Sequence, residues 1–152
     1  MNHAPATLTD FAFAHRLRVR YAELDPQRIV FNAHYLTYFD VALTEYLRTL
    51  EFRGADGFAA QGTDIHVVNA TLDFRASARH DDELLVAARV EYLGRTSFRF
   101  RMACFRDPAL LVEASLTYVN ATRDGQVPAP LPEAFVAKVL AFERIAPERR
   151  VA

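Results

Sequence analysis

Hydrophobic and polar positions alternate strictly over residues 15–21, with Leu17, Val19 and Tyr21 on one side and Arg16, Arg18 and Arg20 on the other. This two-residue period is that of a half-buried strand. Residues 23–28 carry Asp, Pro and charged side chains and predict a loop. The longest apolar periodicity in the chain follows. Leu36, Phe39, Leu43, Leu47 and Leu50 recur at three- and four-residue steps, and Tyr35, Ala42 and Tyr46 widen the stripe. The pattern predicts a helix that is apolar over most of its girth and so buried on several sides, with Thr37, Asp40, Thr44 and Arg48 as a narrow polar edge. Asn32, just ahead of it, is placed to cap its N-terminus.

Gly54, Gly57 and Gly62 predict a loop, after which four segments read as strand: 65–75, 83–93, 97–105 and 110–120. Residues 97–105 alternate best, with Phe98, Phe100, Met102 and Cys104 facing one way and Arg99 and Arg101 the other. The intervening segments 78–82, 94–96 and 106–109 have hairpin length, which predicts antiparallel strands. One Gly and three Pro in residues 124–132 end the sheet, and a last helix is expected over about 132–144 with Phe135, Val139 and Phe142 on one face. An α+β fold satisfies this order: one antiparallel sheet wraps a long buried helix, and a C-terminal helix trails it. No repeat, low-complexity tract or linker divides the chain, so residues 1–152 are expected to form a single domain. Such a sheet keeps a second face and free edges, which predicts self-association.

Composition narrows the function classes. With 152 residues, 51% hydrophobic and 24% charged, the chain has enough apolar mass to fold without disulfide or metal staples. The single Cys104 excludes an intrachain disulfide and a Cys-based zinc site, in keeping with a reducing, cytoplasmic setting. Eighteen basic residues against nineteen acidic ones, with no basic run, lack the electrostatic footprint of a nucleic-acid binder. Residues 1–13 do not read as a signal peptide, and no segment approaches the ~20 apolar residues of a membrane span. Neither nucleic acid nor membrane is expected as a partner.

GxGxxG, Walker A, HExxH and GxSxG motifs are absent, as is any His and carboxylate set at metal-ligand spacing. What remains is the run RYAELDPQRIVFNAHYLTYFDVALTEYL, residues 20–47, which puts Asp25 in a loop seven to ten residues before a helix start. An aspartate before proline commonly caps a turn. A carboxylate beside a helix N-terminus can also attack a carbonyl or activate water while unpaired backbone N–H groups hold the developing oxyanion.

The same run resembles the 4-hydroxybenzoyl-CoA thioesterase-like branch of the hotdog-fold acyl-CoA thioesterases. Its pattern is D-x-x-G-[IV]-V-[YFW], three variable positions, Tyr, and then F-[DE]-x-A. Asp25, Ile29, Val30, Phe31, Tyr35, Phe39, Asp40 and Ala42 stand at the matching steps. Asp81, Asp82, Glu83 and Leu84 are similar to the D-D-x-L strand start, and Gly94, Arg95, Thr96, Ser97 and Phe98 look like the basic-Ser-Phe turn. The resemblance covers about residues 16–119.

It implies a hotdog fold, hydrolysis of acyl-CoA to free acid and CoA, no metal, no organic cofactor beyond the CoA of the substrate, and assembly as a dimer or tetramer. Asp25 falls at the position of the catalytic carboxylate, nucleophile or general base. Asn32 falls where the backbone N–H meets the thioester carbonyl. Phe31, His34, Tyr35 and Asp40 fall at or near the substrate pocket. Arg95, Thr96 and Ser97 lie where phosphates and pantetheine are contacted, usually across a subunit boundary. Three positions depart from the pattern: Arg28 stands where Gly is usual, His34 where Asn or Ser is common, and Leu43 where Arg is frequent. A hotdog dehydratase would need a His base in a Pro-rich loop, which is absent. A non-catalytic acyl-CoA-binding or hotdog dimerisation module stays open, and Arg28 is the feature that favours it.

Overall fold

The computed structural model describes residues 4–150, so the ends of the expected domain, 1–3 and 151–152, lie outside the described residues. Strand β1 (Phe13–Arg18) leads through a loop into helix α1 (His34–Thr49). Strands β2 (Thr63–Phe74), β3 (Glu83–Leu93), β4 (Ser97–Arg106) and β5 (Ala109–Thr122) follow, then helix α2 (Glu133–Phe142) and the two-residue strand β6 (Glu148–Arg149). The order across the sheet is β1-β3-β4-β5-β2, all antiparallel, and β6 adds parallel to the end of β3 at Tyr92 and Leu93.

The hairpins expected at 94–96 and 106–109 join β3 to β4 and β4 to β5. The one expected at 78–82 does not form. Both neighbours of β3 are already β1 and β4, so β2 pairs with β5 at the opposite edge and residues 75–82 cross between. The first strand also ends earlier than the alternation implies. Tyr21 lies in a short 3-10 turn and is 78% exposed, not on the inward side.

Helix α1 lies across the concave face of the sheet, burying Tyr35, Tyr38, Phe39, Ala42, Leu43 and Tyr46 against Val86, Val90, Phe98, Phe100 and Met102. Burying one such side chain is worth about 1.5–3 kcal/mol, which is why the three- and four-residue periodicity governs where the helix sits. Burial is one-sided, however. Leu36 and Val41 remain exposed together with Thr37 and Asp40. Helix α2 adds Phe135 and Val139 to the same core, with Phe142 partly buried beside them.

The lead before β1 is more apolar in effect than its composition implies. Ala6 and Phe11 pack on the outer face of the sheet against Ala87, Ala103 and Phe105. The Ala6 N–H donates to Glu113 at 3.1 Å. That carboxylate also binds Arg75 and Arg101, so the outer face is closed by a polar cluster beside a small apolar one.

Candidate active site

The loop between β1 and α1 is held flat against the start of β3. Val19 donates to the Asp82 carbonyl at 2.9 Å, Val30 donates to the Ala78 carbonyl at 2.9 Å, and Ile29 bridges to Arg79. Within it, Asp25 opens a tight turn: its N–H donates to the Ile29 carbonyl at 2.9 Å, and its own carbonyl accepts from the Arg28 N–H at 2.9 Å. Pro26 presets the first corner of that turn. Arg28 closes it at φ 61°, the left-handed region that costs a side-chain-bearing residue roughly 1–2 kcal/mol. Glycine has no such cost there.

The two carboxylate oxygens of Asp25 differ in their surroundings. Oδ1 accepts the Gln27 N–H at 2.8 Å and caps the turn. Oδ2 accepts no hydrogen bond from the described residues, and Asp25 lines a cavity of about 320 Å³ with Gln27, Asn32, Tyr35, Phe74 and Ser77 among its walls.

Asn32 is not the N-cap expected from sequence. Ala33 takes that place in a helical conformation with no side-chain cap, because the chain winds into α1 through 3-10 bonds. His34, Tyr35 and Leu36 donate to the carbonyls of Phe31, Asn32 and Ala33, so the first helical N–H groups need no capping oxygen. The N–H groups of Asn32 and Ala33, one step earlier, have no protein acceptor among the described residues. Of these two residues Asn32 lines the cavity with Asp25; a carboxylate and an unpartnered N–H are the parts needed to hold a carbonyl oxygen and deliver a nucleophile.

Beneath the loop, Glu23 is 5% exposed and accepts from the Arg20 backbone N–H, the Arg20 guanidinium and the Tyr38 hydroxyl. Burial alone would raise its carboxyl, but the hydrogen bonds from Tyr38 and Arg20 outweigh it and hold the group below the ordinary carboxylate range. Burial, then Glu23 itself, pushes the Tyr38 hydroxyl far up, so it stays a donor. Periodicity gives no sign of this carboxylate, which the sequence shows only as one more charge in a loop.

The remaining residues expected at the site scatter. Tyr35 lines the cavity, accepts the Ala78 N–H at 3.0 Å on its hydroxyl, and meets the Phe74 ring edge-on at 5.8 Å. Phe31, 46% exposed, packs edge-on against His34 at 5.9 Å on the outside of the helix start. Asp40 is exposed further along α1, close enough to Tyr118 to help raise its hydroxyl. Arg95, Thr96 and Ser97 form the turn at the far end of β3, and that strand is roughly 35 Å long at ~3.3 Å per residue. One chain therefore does not bring them to Asp25. Phe74, the last residue of β2, and Ser77, in the crossing segment after it, are absent from the sequence reading and also line the cavity. Burial pushes the Cys104 thiol up to about 12, which removes it as a nucleophile. Among the described residues no three His, Cys, Asp or Glu side chains converge as a metal site.

The sequence profile of the thioesterase superfamily matches residues 27–113, more than half of the chain. The chain belongs to the thioesterase superfamily. The match begins two residues after Asp25. A superfamily relative, the acyl-CoA thioesterase YbgC of Haemophilus influenzae, is 30% identical over 109 residues, covering 72% of this chain and 80% of that protein. A thioesterase of Thermus thermophilus, solved with coenzyme A and Zn, is 27% identical with TM-score 0.74, covering 90% of this chain and 97% of that one. The 1,4-dihydroxy-2-naphthoyl-CoA thioesterase Slr0204 of Synechocystis has TM-score 0.75 at 21% identity, covering 84% and 94%, a likeness of fold. The sheet wrapped on α1 is thus the hotdog architecture of thioesterase-superfamily proteins.

Proposed function

We propose that this thioester hydrolase acts on acyl-CoA, with Asp25 as the catalytic carboxylate and the Asn32 N–H as a donor to the thioester carbonyl oxygen. The observation that carries the reading is the pairing, on one cavity, of an Asp25 oxygen without a hydrogen-bond partner and a backbone N–H without an acceptor. As general base, Asp25 takes a proton from water as its oxygen adds to the carbonyl; the C–S bond then breaks and CoA leaves as the thiol. As nucleophile, it forms a mixed anhydride with loss of CoA, and water hydrolyses the anhydride. Both routes yield one acid and one CoA and call for neither metal nor organic cofactor.

Self-association as a dimer or tetramer is part of the proposal. Edge strand β2 exposes Val67, 56%, and Val68, 59%, beside a register shift, and Phe74, 55% exposed, stands on the same strand and lines the cavity. A second copy along β2 would cover these side chains and close the cavity wall, and would offer its Arg95, Thr96 and Ser97 turn to the CoA moiety. Sedimentation should give a dimer or tetramer at micromolar concentration. A stable, active monomer would remove this part.

The deciding experiment is a panel of acyl-CoA thioesters with a free-thiol readout. Release of CoA from at least one is expected. Saturable binding without release from any would leave the non-catalytic acyl-CoA-binding module.

A further inference from the structure

Asp25 lines a second space. On the outer side of the turn lies an open groove of about 580 Å³, walled by Tyr21, Leu24, Asp25, Arg28, Arg79 and His80. Resting on the thioester reading above, we propose that this groove binds an anionic group carried by the substrate, and that Arg28 and Arg79 are its ligands.

The groove is built by the same pairing that holds the catalytic loop. The Ile29 to Arg79 bridge sets the two segments side by side, so Arg28 and Arg79 approach from adjacent backbones. Arg79 is fixed in turn by its N–H to Asp82 at 2.8 Å. Charge in the neighbourhood is unevenly settled. Glu23 is taken by Arg20 and Tyr38, Asp81 by Arg18, and Asp82 by Arg106. Neither Arg28 nor Arg79 forms an ion pair among the described residues. Two guanidiniums outside any ion pair thus line one groove whose single acidic wall residue is Asp25. Arg28 also occupies φ 61°, where its side chain adds backbone cost and the turn gains nothing from it. Tyr21 adds a polar-tipped wall: it is 78% exposed, contributes nothing to the core, and stands edge-on to His80 at 5.7 Å.

Because Asp25 borders both spaces, a thioester held there has two directions in which to extend. One leads into the cavity of Tyr35 and Phe74, whose one guanidinium, Arg75, is already paired with Glu113; the other leads into the groove, which presents two guanidiniums outside any ion pair. Guanidinium groups match the planar geometry of carboxylate and phosphate oxygens. The anion therefore comes from one of two parts of the substrate, a CoA phosphate or a carboxylate on the acyl group.

The test compares kcat/KM for four thioesters in wild type, Arg28→Gln and Arg79→Gln: valeryl-CoA, valeryl-N-acetylcysteamine, glutaryl-CoA and glutaryl-N-acetylcysteamine. If the phosphates occupy the groove, the ratio of valeryl-CoA to its phosphate-free counterpart falls about tenfold in each variant. If the acyl carboxylate does, the ratio of glutaryl to valeryl on N-acetylcysteamine falls instead. Ratios unchanged in both variants overturn the proposal. Both side chains are exposed, and the second variant keeps the test alive if the first disturbs the turn. Calorimetric titration with inorganic pyrophosphate and with glutarate separates this from the activity itself. Should the wild type hydrolyse nothing, binding of either anion that is lost in Arg79→Gln sustains the groove, and absence of both binding events in the wild type overturns it.

Discussion

The Tyr38 hydroxyl donates to the Glu23 carboxylate at 2.6 Å, tying the second turn of α1 to the loop that carries Asp25. The Glu23 backbone carbonyl meanwhile accepts the Phe31 N–H at 2.9 Å. One buried residue thus fixes both legs of the Asp25 turn and its distance from the helix start. The geometry of the cavity depends on a carboxylate that does not line it.

Tyr38→Phe removes the donor and leaves Glu23 with Arg20 alone. Loss of a hydrogen bond to a buried charged group costs roughly 1–3 kcal/mol, to be read from urea unfolding. As a positioning residue, Tyr38 should affect kcat while KM for acyl-CoA stays near the wild-type value. A loss of stability with unchanged kcat would reduce Tyr38 to a packing role.

Stability should respond to pH with two opposite signs. Glu23, Glu113 and Asp82 all hold their carboxyls below the ordinary range: burial alone would raise each, and hydrogen bonds with nearby arginines outweigh it. Their contribution is complete above the unfolded carboxylate pKa and is lost as pH falls through the lower folded values, so the protein should unfold in acid. Glu143 behaves the other way. Burial raises its carboxyl despite bonds from Tyr46 and the Val90 N–H, and its Oε2 is buried without a partner. The folded state therefore holds that proton longer than the unfolded chain, and stability declines as pH rises between the two values. Glu143→Gln keeps an acceptor oxygen for both donors and removes the charge. Its melting temperature should exceed wild type at neutral pH and match it near pH 4; the reverse order would contradict the assignment.

Helix α1, strands β3 to β5 and helix α2 are legible because each turns one face to the main core, and that burial writes a period into the sequence: Phe98, Phe100, Met102 and Cys104 all lie in it. The place of β2 is not. Its side chains are mostly exposed, and nothing local to residues 75–82 distinguishes a hairpin from a crossing to the far edge. At the site, Asp25 and Tyr35 are legible from spacing. Phe74, Ser77, Arg79 and His80 are not, because the end of β2 and the crossing after it meet the Asp25 turn only once the sheet is assembled. Asn32 does stand beside the helix start, but without the capping role its residue type suggests, since the 3-10 entry into α1 satisfies the N–H groups that a cap would have served.

Arg28→Gly separates backbone from side chain. Relief of the φ 61° conformation outweighs the added flexibility of glycine in the unfolded chain by up to about 1 kcal/mol, so melting temperature should rise slightly. Under the groove proposal the same variant loses preference for anionic substrates. A more stable enzyme with an unaltered substrate ratio would show that Arg28 is only a strained turn residue.

Arg95→Ala tests the far turn. Its exposed side chain lies at the end of β3 remote from Asp25 and meets substrate only if a second copy brings it there. Contacts to CoA away from the thioester stabilise ground and transition states alike, so KM should rise with kcat little changed. An unchanged KM would remove Arg95 from the site.

Asp25→Asn is the decisive substitution. Asparagine keeps an oxygen for the Gln27 N–H, so the turn and the neighbouring Ile29 to Arg79 bridge should persist and the melting temperature should move little. What it removes is the charge on the oxygen left without a partner at the cavity. Neither a general base nor a carboxylate nucleophile works without that charge. Turnover should therefore fall at least roughly 100-fold, the scale of losing a positioned acid-base group and a lower bound if Asp25 attacks directly. Binding affinity for CoA should not fall, because the substitution leaves Arg28, Arg79 and Arg95 in place and adds no negative charge. Near-wild-type kcat in a preparation free of contaminating thioesterase would end the carboxylate mechanism.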